Sequence, residues 1–146
     1  MNNKKRKLFL GISFIIFAFS VIAVIASIIA SYYKIHADFP DDNITAMSEF
    51  AFGAFFVMLI AIPFWGAELS FIRSVYKILK YRPKGKTKLC YIISSVTAFS
   101  AIAFLIVSIS FKLFDTGSNL TATVLLVAEW TAFILSFVLG SIPIKQ

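Results

Sequence analysis

One acidic residue lies in the middle of a long apolar run, where a charge is costly. Glu129 follows Leu120, the first residue of that run, by nine positions, so it lies ~13 Å into a membrane-spanning helix and close to the bilayer midplane. A charged carboxylate there costs at least ~2.5 kcal/mol, so such a group faces the protein interior and is protonated or paired. Helical spacing supports this direction, because Glu129 shares one face with Ala122, Ala132, Ser136 and Gly140.

Two interpretations of Glu129 remain open from its position. The residue is either a proton or cation site used in transport, or a protonated carboxyl that hydrogen-bonds the fourth helix to the third. The third apolar run carries several hydroxyl side chains that suit the second interpretation, since polar side chains commonly join membrane helices. The hydrogen-bond partners that we predict for Glu129 are Thr97, Ser100 and Ser108.

Glu68 is the second candidate for an ion or proton site. It ends the uncharged part of the second apolar run, ~27 Å from the outer boundary of that helix, and it shares a seven-residue spacing with Ala54 and Ala61. Neutralisation by Arg73 or a nearby lysine is the structural interpretation, and a lipid-modifying carboxylate is the catalytic one. Because Glu129 and Glu68 differ by ~14 Å in depth, an acid–base dyad is not expected.

The other chemically capable residues give weak signals. His36, Asp38 and Asp41 are scattered over a polar loop, which favours a solvated loop over a metal site. Glu49 falls in the first turns of the second helix, where the helix dipole favours an acidic residue. The single cysteine, Cys90, excludes an intrachain disulfide and a cysteine-cluster metal site. We therefore predict no metal and no cofactor.

The elements that position these residues are membrane spans. The 146-residue chain is 60% hydrophobic, with a mean hydropathy of +0.90, which is more apolar surface than a soluble domain of this size can bury. Long uncharged runs without period-2 alternation predict helices rather than a barrel. We expect a single-domain, all-α integral membrane protein, an antiparallel four-helix bundle in which Pro63 kinks the second helix. The predicted spans are about 8–33, 46–72, 89–112 and 119–143.

The distribution of charge predicts the orientation of the bundle. Four basic residues precede the first span, seven lie in the connection 73–88, and the other two connections carry one each, Lys34 and Lys112. By the positive-inside rule, both termini and the 73–88 connection are cytoplasmic. The first span is uncharged and too long for a cleaved signal sequence, which indicates a signal anchor.

The same basic connection predicts a lipid contact. Apolar residues recur at helical spacing from Leu69 to Tyr81, so the second helix should continue beyond the membrane as an amphipathic segment and end before Pro83. Basic residues beside a membrane attract anionic headgroups at about 1 kcal/mol each. The predicted lipid contacts are Arg73, Lys77, Lys80, Arg82, Lys84, Lys86 and Lys88.

These features favour a small, non-enzymatic accessory or interaction component of the membrane. The chain has no nucleophile–base pair, phosphate-binding loop or sizeable soluble part. One alternative is a proton- or cation-coupled transporter that works as a homo-oligomer through Glu129, and a weaker one is an enzyme that acts on lipid. The expected partners are the bilayer and a second copy or another membrane protein, and no nucleic acid. Abundant Lys, Ile, Phe and Asn suggest a bacterial plasma-membrane protein.

Overall fold

Each of the four apolar runs forms an α-helix in the computed structural model, which describes residues 3–110 and 119–143. All four helices are long and apolar enough to cross a membrane, and the all-helical prediction is confirmed. Four positions that carry predictions lie outside the described residues. They are Phe111 and Lys112, which end the third predicted span, and the charged residues Asp115 and Lys145. The helices are α1 (Asn3–Asp38), α2 (Asn43–Tyr81), α3 (Gly85–Ser110) and α4 (Asn119–Gly140).

Helix α2 is the longest element, and both of its ends have local causes. Asp42 caps the start of the helix by accepting a hydrogen bond from the Thr45 backbone N–H at 3.0 Å, and the hydrogen bonds from Thr45 lower the pKa of this carboxyl. At the other end Arg82 adopts a left-handed conformation with φ of 45° and donates its N–H to the Ile78 carbonyl. Pro83 follows, so the helix ends at Tyr81, and the prediction that the second helix continues to Tyr81 and ends before Pro83 is confirmed.

Consecutive helices run antiparallel, and this brings four helix ends together. Ser20 of α1 contacts Glu68 of α2, and Tyr32 meets Phe50 further along the same pair. The start of α1, the end of α2, the start of α3 and the end of α4 therefore share one end of the molecule. We call it the basic end, because it carries the residues of the two lysine- and arginine-rich segments.

The packing within this bundle is uneven. Among the described residues, α2 contacts all three other helices and α3 contacts α4, whereas α1 contacts α2 alone. No residue of α1 is buried. The structure is therefore a three-helix unit of α2, α3 and α4 with α1 attached to one side of α2.

Small residues form the centre of the three-helix unit. Ala67, Ala98 and Ala101 are buried together, and Ala132 of α4 packs against them. The Phe133 ring covers Gly66, where a Cβ atom would lie 2.2 Å from a ring carbon. Such residues allow helix axes to approach closely in a membrane, where packing rather than hydrophobic burial holds helices together.

Candidate functional site

Glu129 lies inside the three-helix unit, on the face of α4 that the sequence pattern predicted. Its side chain is 1% exposed, and Ser136 shares its face and is fully buried. Gly140 at the end of this face is also buried, and Ala122 and Ala132 are half-buried. The prediction that the small-residue face points inward is confirmed.

The predicted hydrogen bonds to Glu129 are absent from the described part of the chain. Neither carboxyl oxygen of Glu129 has a hydrogen-bond partner there. Thr97 donates to the Ile93 carbonyl of its own helix, Ser108 donates to Phe104 in the same way, and Ser100 is exposed. Hydroxyls in apolar helices commonly bond the carbonyl four residues earlier, which leaves no proton for a neighbouring helix.

The residue after Glu129 has a partner that the sequence did not indicate. The indole Nε1 of Trp130 donates to the carbonyl oxygen of Leu59 at 3.1 Å. Pro63 has no N–H, so this carbonyl lacks its usual donor four residues later. Trp130 therefore supplies the hydrogen bond that Pro63 removes, and α2 continues as a helix through Pro63. The proline identifies the unpaired carbonyl in advance, but not the helix that bonds to it.

Glu68 lies on the side of α2 opposite the Trp130 contact, and its hydrogen-bond partner belongs to α1. Its side chain is 9% exposed, and Ser20 Oγ lies 3.0 Å from its Oε2. Ser20 Oγ also lies 3.0 Å from the Phe17 carbonyl. Since a hydroxyl has one proton, a protonated Glu68 that donates to Ser20 satisfies both contacts at once. The predicted neutralisation by Arg73 is replaced by this contact, because Arg73 is directed to α4.

Two cavities lie on either side of the Ser20–Glu68 contact, between α1 and α3. The larger has a volume of about 490 Å³ and is lined by Ser20 and Ser27 of α1 and by Ile106 of α3. The smaller, of about 200 Å³, lies nearer the basic end and is lined by Ser13, Glu68 and Ile102, among others. Together they form one groove, with α2 as its floor. Glu129 lines neither cavity.

One face of α1 lines this groove with regular spacing. Its residues follow one another at steps of three, four, three and four, which is the heptad spacing of packed helices. We call this set the serine face, and its members are Ser13, Ile16, Ser20, Ala23 and Ser27. From Ser13 to Ser27 the face extends ~21 Å along the helix axis.

Two of the seven residues that are predicted to contact lipid bind the end of α4 in the structure. Arg73 Nη2 donates to the Phe137 carbonyl at 2.9 Å, and Lys77 Nζ donates to the Gly140 carbonyl at 3.0 Å. The last four carbonyls of a helix lack intrahelical donors, and cations at this end are favoured by the helix dipole. Arg73 and Lys77 therefore cap the end of α4, and their contact with lipid stays a prediction.

Helix α3 adds two further donors to the same region. Ser94 donates to the Ser136 carbonyl at 2.6 Å and contacts Ser74 of α2, while the Tyr91 hydroxyl donates to the Ile142 carbonyl. A Cβ atom on Gly140 would lie 2.8 Å from the Ser74 hydroxyl. Glycine at this position thus allows the polar side chains of α2 and α3 to reach the end of α4.

The other five predicted lipid contacts, Lys80, Arg82, Lys84, Lys86 and Lys88, are all exposed. The Lys80 ammonium lies 5.4 Å from the Tyr76 ring centre and 5.0 Å from that of Tyr81. Such cation–π contacts hold a lysine near aromatic rings without removing its charge from solvent.

The remaining candidate residues do not assemble into a site among the described residues. His36 Nδ1 lies 2.9 Å from the Tyr32 carbonyl of its own helix, Glu49 is exposed, and Cys90 is half-buried. Within 3–110 and 119–143, no group of three or more His, Cys, Asp and Glu side chains is placed to hold a metal ion.

The geometry thus presents one buried carboxyl in a closed interface and one at the wall of an open groove. Comparison with protein-family models, with curated proteins and with solved structures finds no match to this chain.

Proposed function

We propose that this chain is a non-enzymatic interaction component of the membrane, whose groove between α1 and α3 binds a transmembrane helix of a partner protein. The observation that carries the proposal is that, within the part of the chain that the structure describes, α1 packs against α2 alone. This arrangement leaves α1 and α3 apart along the groove and the serine face of α1 uncovered on one side.

The length of the groove along the axis of α1 favours a helix over a lipid acyl chain as its occupant. The serine face extends ~21 Å, whereas the acyl chains of one leaflet fill about half of the ~30 Å hydrocarbon core. The heptad spacing adds a second reason, because regular three- and four-residue steps match the surface of another helix. Small and hydroxyl-bearing residues such as Ser20, Ala23 and Ser27 are typical of close contacts between membrane helices.

The partner helix should carry a polar side chain at the level of Glu68. This carboxyl lines the smaller cavity, and a hydrogen bond in the apolar part of a membrane favours association of two helices. Gly, Ala or Ser on the remainder of the contacting face would let the partner approach the serine face.

The two alternative functions have less support. A transporter that uses Glu129 needs a path to this residue, and the two cavities that border α1 do not include it. Its test is flux in proteoliposomes, which Glu129→Gln should abolish if the residue is an ion site. An enzyme that uses Glu68 needs a second catalytic group, and the hydrogen bond of this carboxyl is to the Ser20 hydroxyl. Retained activity on lipid in Glu68→Ala would exclude that role.

Orientation and location belong to the same proposal. We place the basic end in the cytoplasm of a bacterial cell, because the lysine- and arginine-rich segments meet at this end. The test uses Lys84→Cys in a Cys90→Ser background and a maleimide that does not cross membranes. Labelling should require permeabilised cells, and labelling of intact cells would reverse the orientation.

Binding of a helix in the groove can be tested by crosslinking in the native membrane. A photo-reactive amino acid replaces Ala23, which lines the groove, or Ala18, an exposed alanine that lies almost opposite on α1. We expect a protein adduct of one discrete mass from position 23 and none from position 18.

A second pair of variants ties that adduct to the groove. Ile106→Trp places a large side chain on the α3 wall and should abolish the adduct. Val96→Trp adds the same side chain at an exposed α3 position outside the groove and should preserve it. Equal adducts from positions 18 and 23, adducts with lipid alone, or an adduct that survives Ile106→Trp would overturn the proposal. An adduct of twice the chain's own mass would identify a second copy as the bound partner.

A further inference from the structure

The two sequence segments that form the basic end contain no acidic residue that could balance their positive charge. Residues 1–37 and 69–114 contain no Asp or Glu, yet they include eleven of the lysine and arginine residues at this end. Glu68 is the acidic residue nearest in sequence to the 73–88 segment, and its hydrogen bond is with Ser20 of α1. The cations of residues 1–37 and 69–114 therefore have no acidic side chain of their own segments to balance them.

The structure divides the cations of the 73–88 segment into two groups. Arg73 and Lys77 are half-buried and donate to carbonyls at the end of α4, so the negative end of that helix dipole balances part of their charge. The other five are exposed along the turn between α2 and α3. We call residues 80–88 the basic turn.

The backbone of the basic turn holds these cations in a short, defined connection. Arg82 and Gly85 both have positive φ, of 45° and 67°, and the intervening Pro83 is buried. Five cations thus lie within nine positions at the start of α3 and the end of α2. Like charges held this close repel one another unless an anion lies between them.

We propose that the basic turn binds the phosphate groups of anionic phospholipids. Lys84, Lys86 and Lys88 lie within five positions of residue 89, where the third span is predicted to begin, so they lie ~7.5 Å or less beyond the hydrocarbon core, at the level of the headgroups. Tyr76 and Tyr81, which hold Lys80, are of the residue type that is enriched at membrane interfaces. Both features favour a lipid headgroup over a soluble polyanion. This inference is independent of what the groove binds.

The experiment compares two double variants that remove the same charge. Lys84→Gln with Lys86→Gln neutralises two cations of the basic turn, and Arg73→Gln with Lys77→Gln neutralises the two that cap α4. Each purified protein is exchanged into nanodiscs of mixed phosphatidylglycerol and phosphatidylcholine, and the lipids that remain bound on release are counted by native mass spectrometry. Thermal unfolding is measured in parallel.

The two variants should lose different properties. Loss of two cations at the lipid surface should lower the preference for phosphatidylglycerol by about 30-fold, at about fivefold per charge, with little change in thermal stability. The capping variant should unfold at a lower temperature and keep the lipid preference. Soluble glycerol phosphate should not compete.

Three results would overturn the proposal. An equal loss of preference in both variants would mean that the net charge of the protein, and not the position of the cations in the basic turn, determines the preference for phosphatidylglycerol. An unchanged preference after Lys84→Gln with Lys86→Gln would mean that the turn makes no contact with lipid. Competition by millimolar glycerol phosphate, at about the affinity of the lipid, would mean that the turn binds free phosphate. If the double capping variant fails to fold, the single variants Lys77→Gln and Lys84→Gln are compared instead, and only Lys84→Gln should lower the preference.

Discussion

Two of the three interfaces of α2, the one with α4 and the one with α1, differ in how closely they pack. Toward α4, Gly66 lies against the Phe133 ring and Trp130 bonds to the carbonyl that Pro63 leaves unpaired. Toward α1, the polar contact is Ser20 with Glu68, and a cavity lies on each side of it. The first interface is closed and the second is open.

Each interface is associated with one carboxyl, and the two carboxyls are satisfied differently. Glu129, in the closed unit, is fully buried without a hydrogen-bond partner among the described residues, whereas Glu68, at the open interface, has Ser20. Close packing of small residues fixes the distance between the helices. A polar side chain in such an interface can therefore form hydrogen bonds only with the groups that already lie beside it. Close packing by itself does not satisfy a buried polar group.

The largest expected effect tests whether the α4 interface is as close as described. Gly66→Ala should destabilise the protein by about 1–3 kcal/mol, because the added Cβ overlaps the Phe133 ring. Gly53→Ala on the same helix meets nothing within 4 Å and should cause no loss. Unfolding in sodium dodecyl sulfate measures both. Equal effects at the two glycines would mean that the α4 interface is no closer than the rest of α2.

The next effect tests the indole hydrogen bond. Trp130→Phe should cost about 1–2 kcal/mol of unfolding free energy, because the Leu59 carbonyl loses its donor inside the membrane. Pro63→Ala restores a backbone N–H four residues after Leu59. In that background the cost of Trp130→Phe should fall, and a double-mutant cycle measures the difference. If the effects of Trp130→Phe and Pro63→Ala were additive, the contribution of the indole would not depend on the missing N–H of Pro63.

Replacing the unpartnered carboxyl should stabilise the protein. Glu129→Met, which removes a buried polar group and keeps an unbranched side chain, should raise the unfolding free energy by about 1 kcal/mol. Glu129→Gln is the control, because it retains an equally buried polar group and should bring no such gain. A loss of stability in Glu129→Met would show that the carboxyl is bonded in the membrane after all.

The smallest expected effect concerns Glu68 at the open interface, where substitution should lower stability and not raise it as at Glu129. Glu68→Met should lower stability by about 0.6 kcal/mol, the average for a hydrogen bond between membrane helices. Ser20→Ala should cost about as much, and the double variant little more, since the two side chains share one contact. A gain in stability on Glu68→Met would make the two carboxyls alike and remove the distinction between the interfaces.

The sequence was sufficient for those features that the bilayer itself imposes. Span length follows from the hydrocarbon thickness, so four apolar runs predict four helices. The inward direction of Glu129 follows from the cost of exposing it to lipid, and the small face of α4 follows from helical spacing. Pro83 likewise predicts the end of α2 at Tyr81.

The partners of the polar side chains required the structure. Whether Ser20 meets Glu68 depends on which helix lies beside α2, and hydropathy contains no information about that choice. Ser94 reaches the Ser136 carbonyl, whereas Thr97, three residues later, bonds its own helix. The direction of Arg73 toward α4 depends on where that helix ends. Such contacts follow from the rotation and depth of two helices together.

The cap of α4 has a consequence for the order in which the chain assembles. Arg73 precedes its acceptor Phe137 by 64 residues and Lys77 precedes Gly140 by 63, so both donors are synthesised long before the helix that they complete. Until α4 is in place, these two cations lack the carbonyl acceptors that they have in the folded chain. The arrival of the last helix withdraws them from the membrane surface, so that surface charge at the basic end falls as folding finishes.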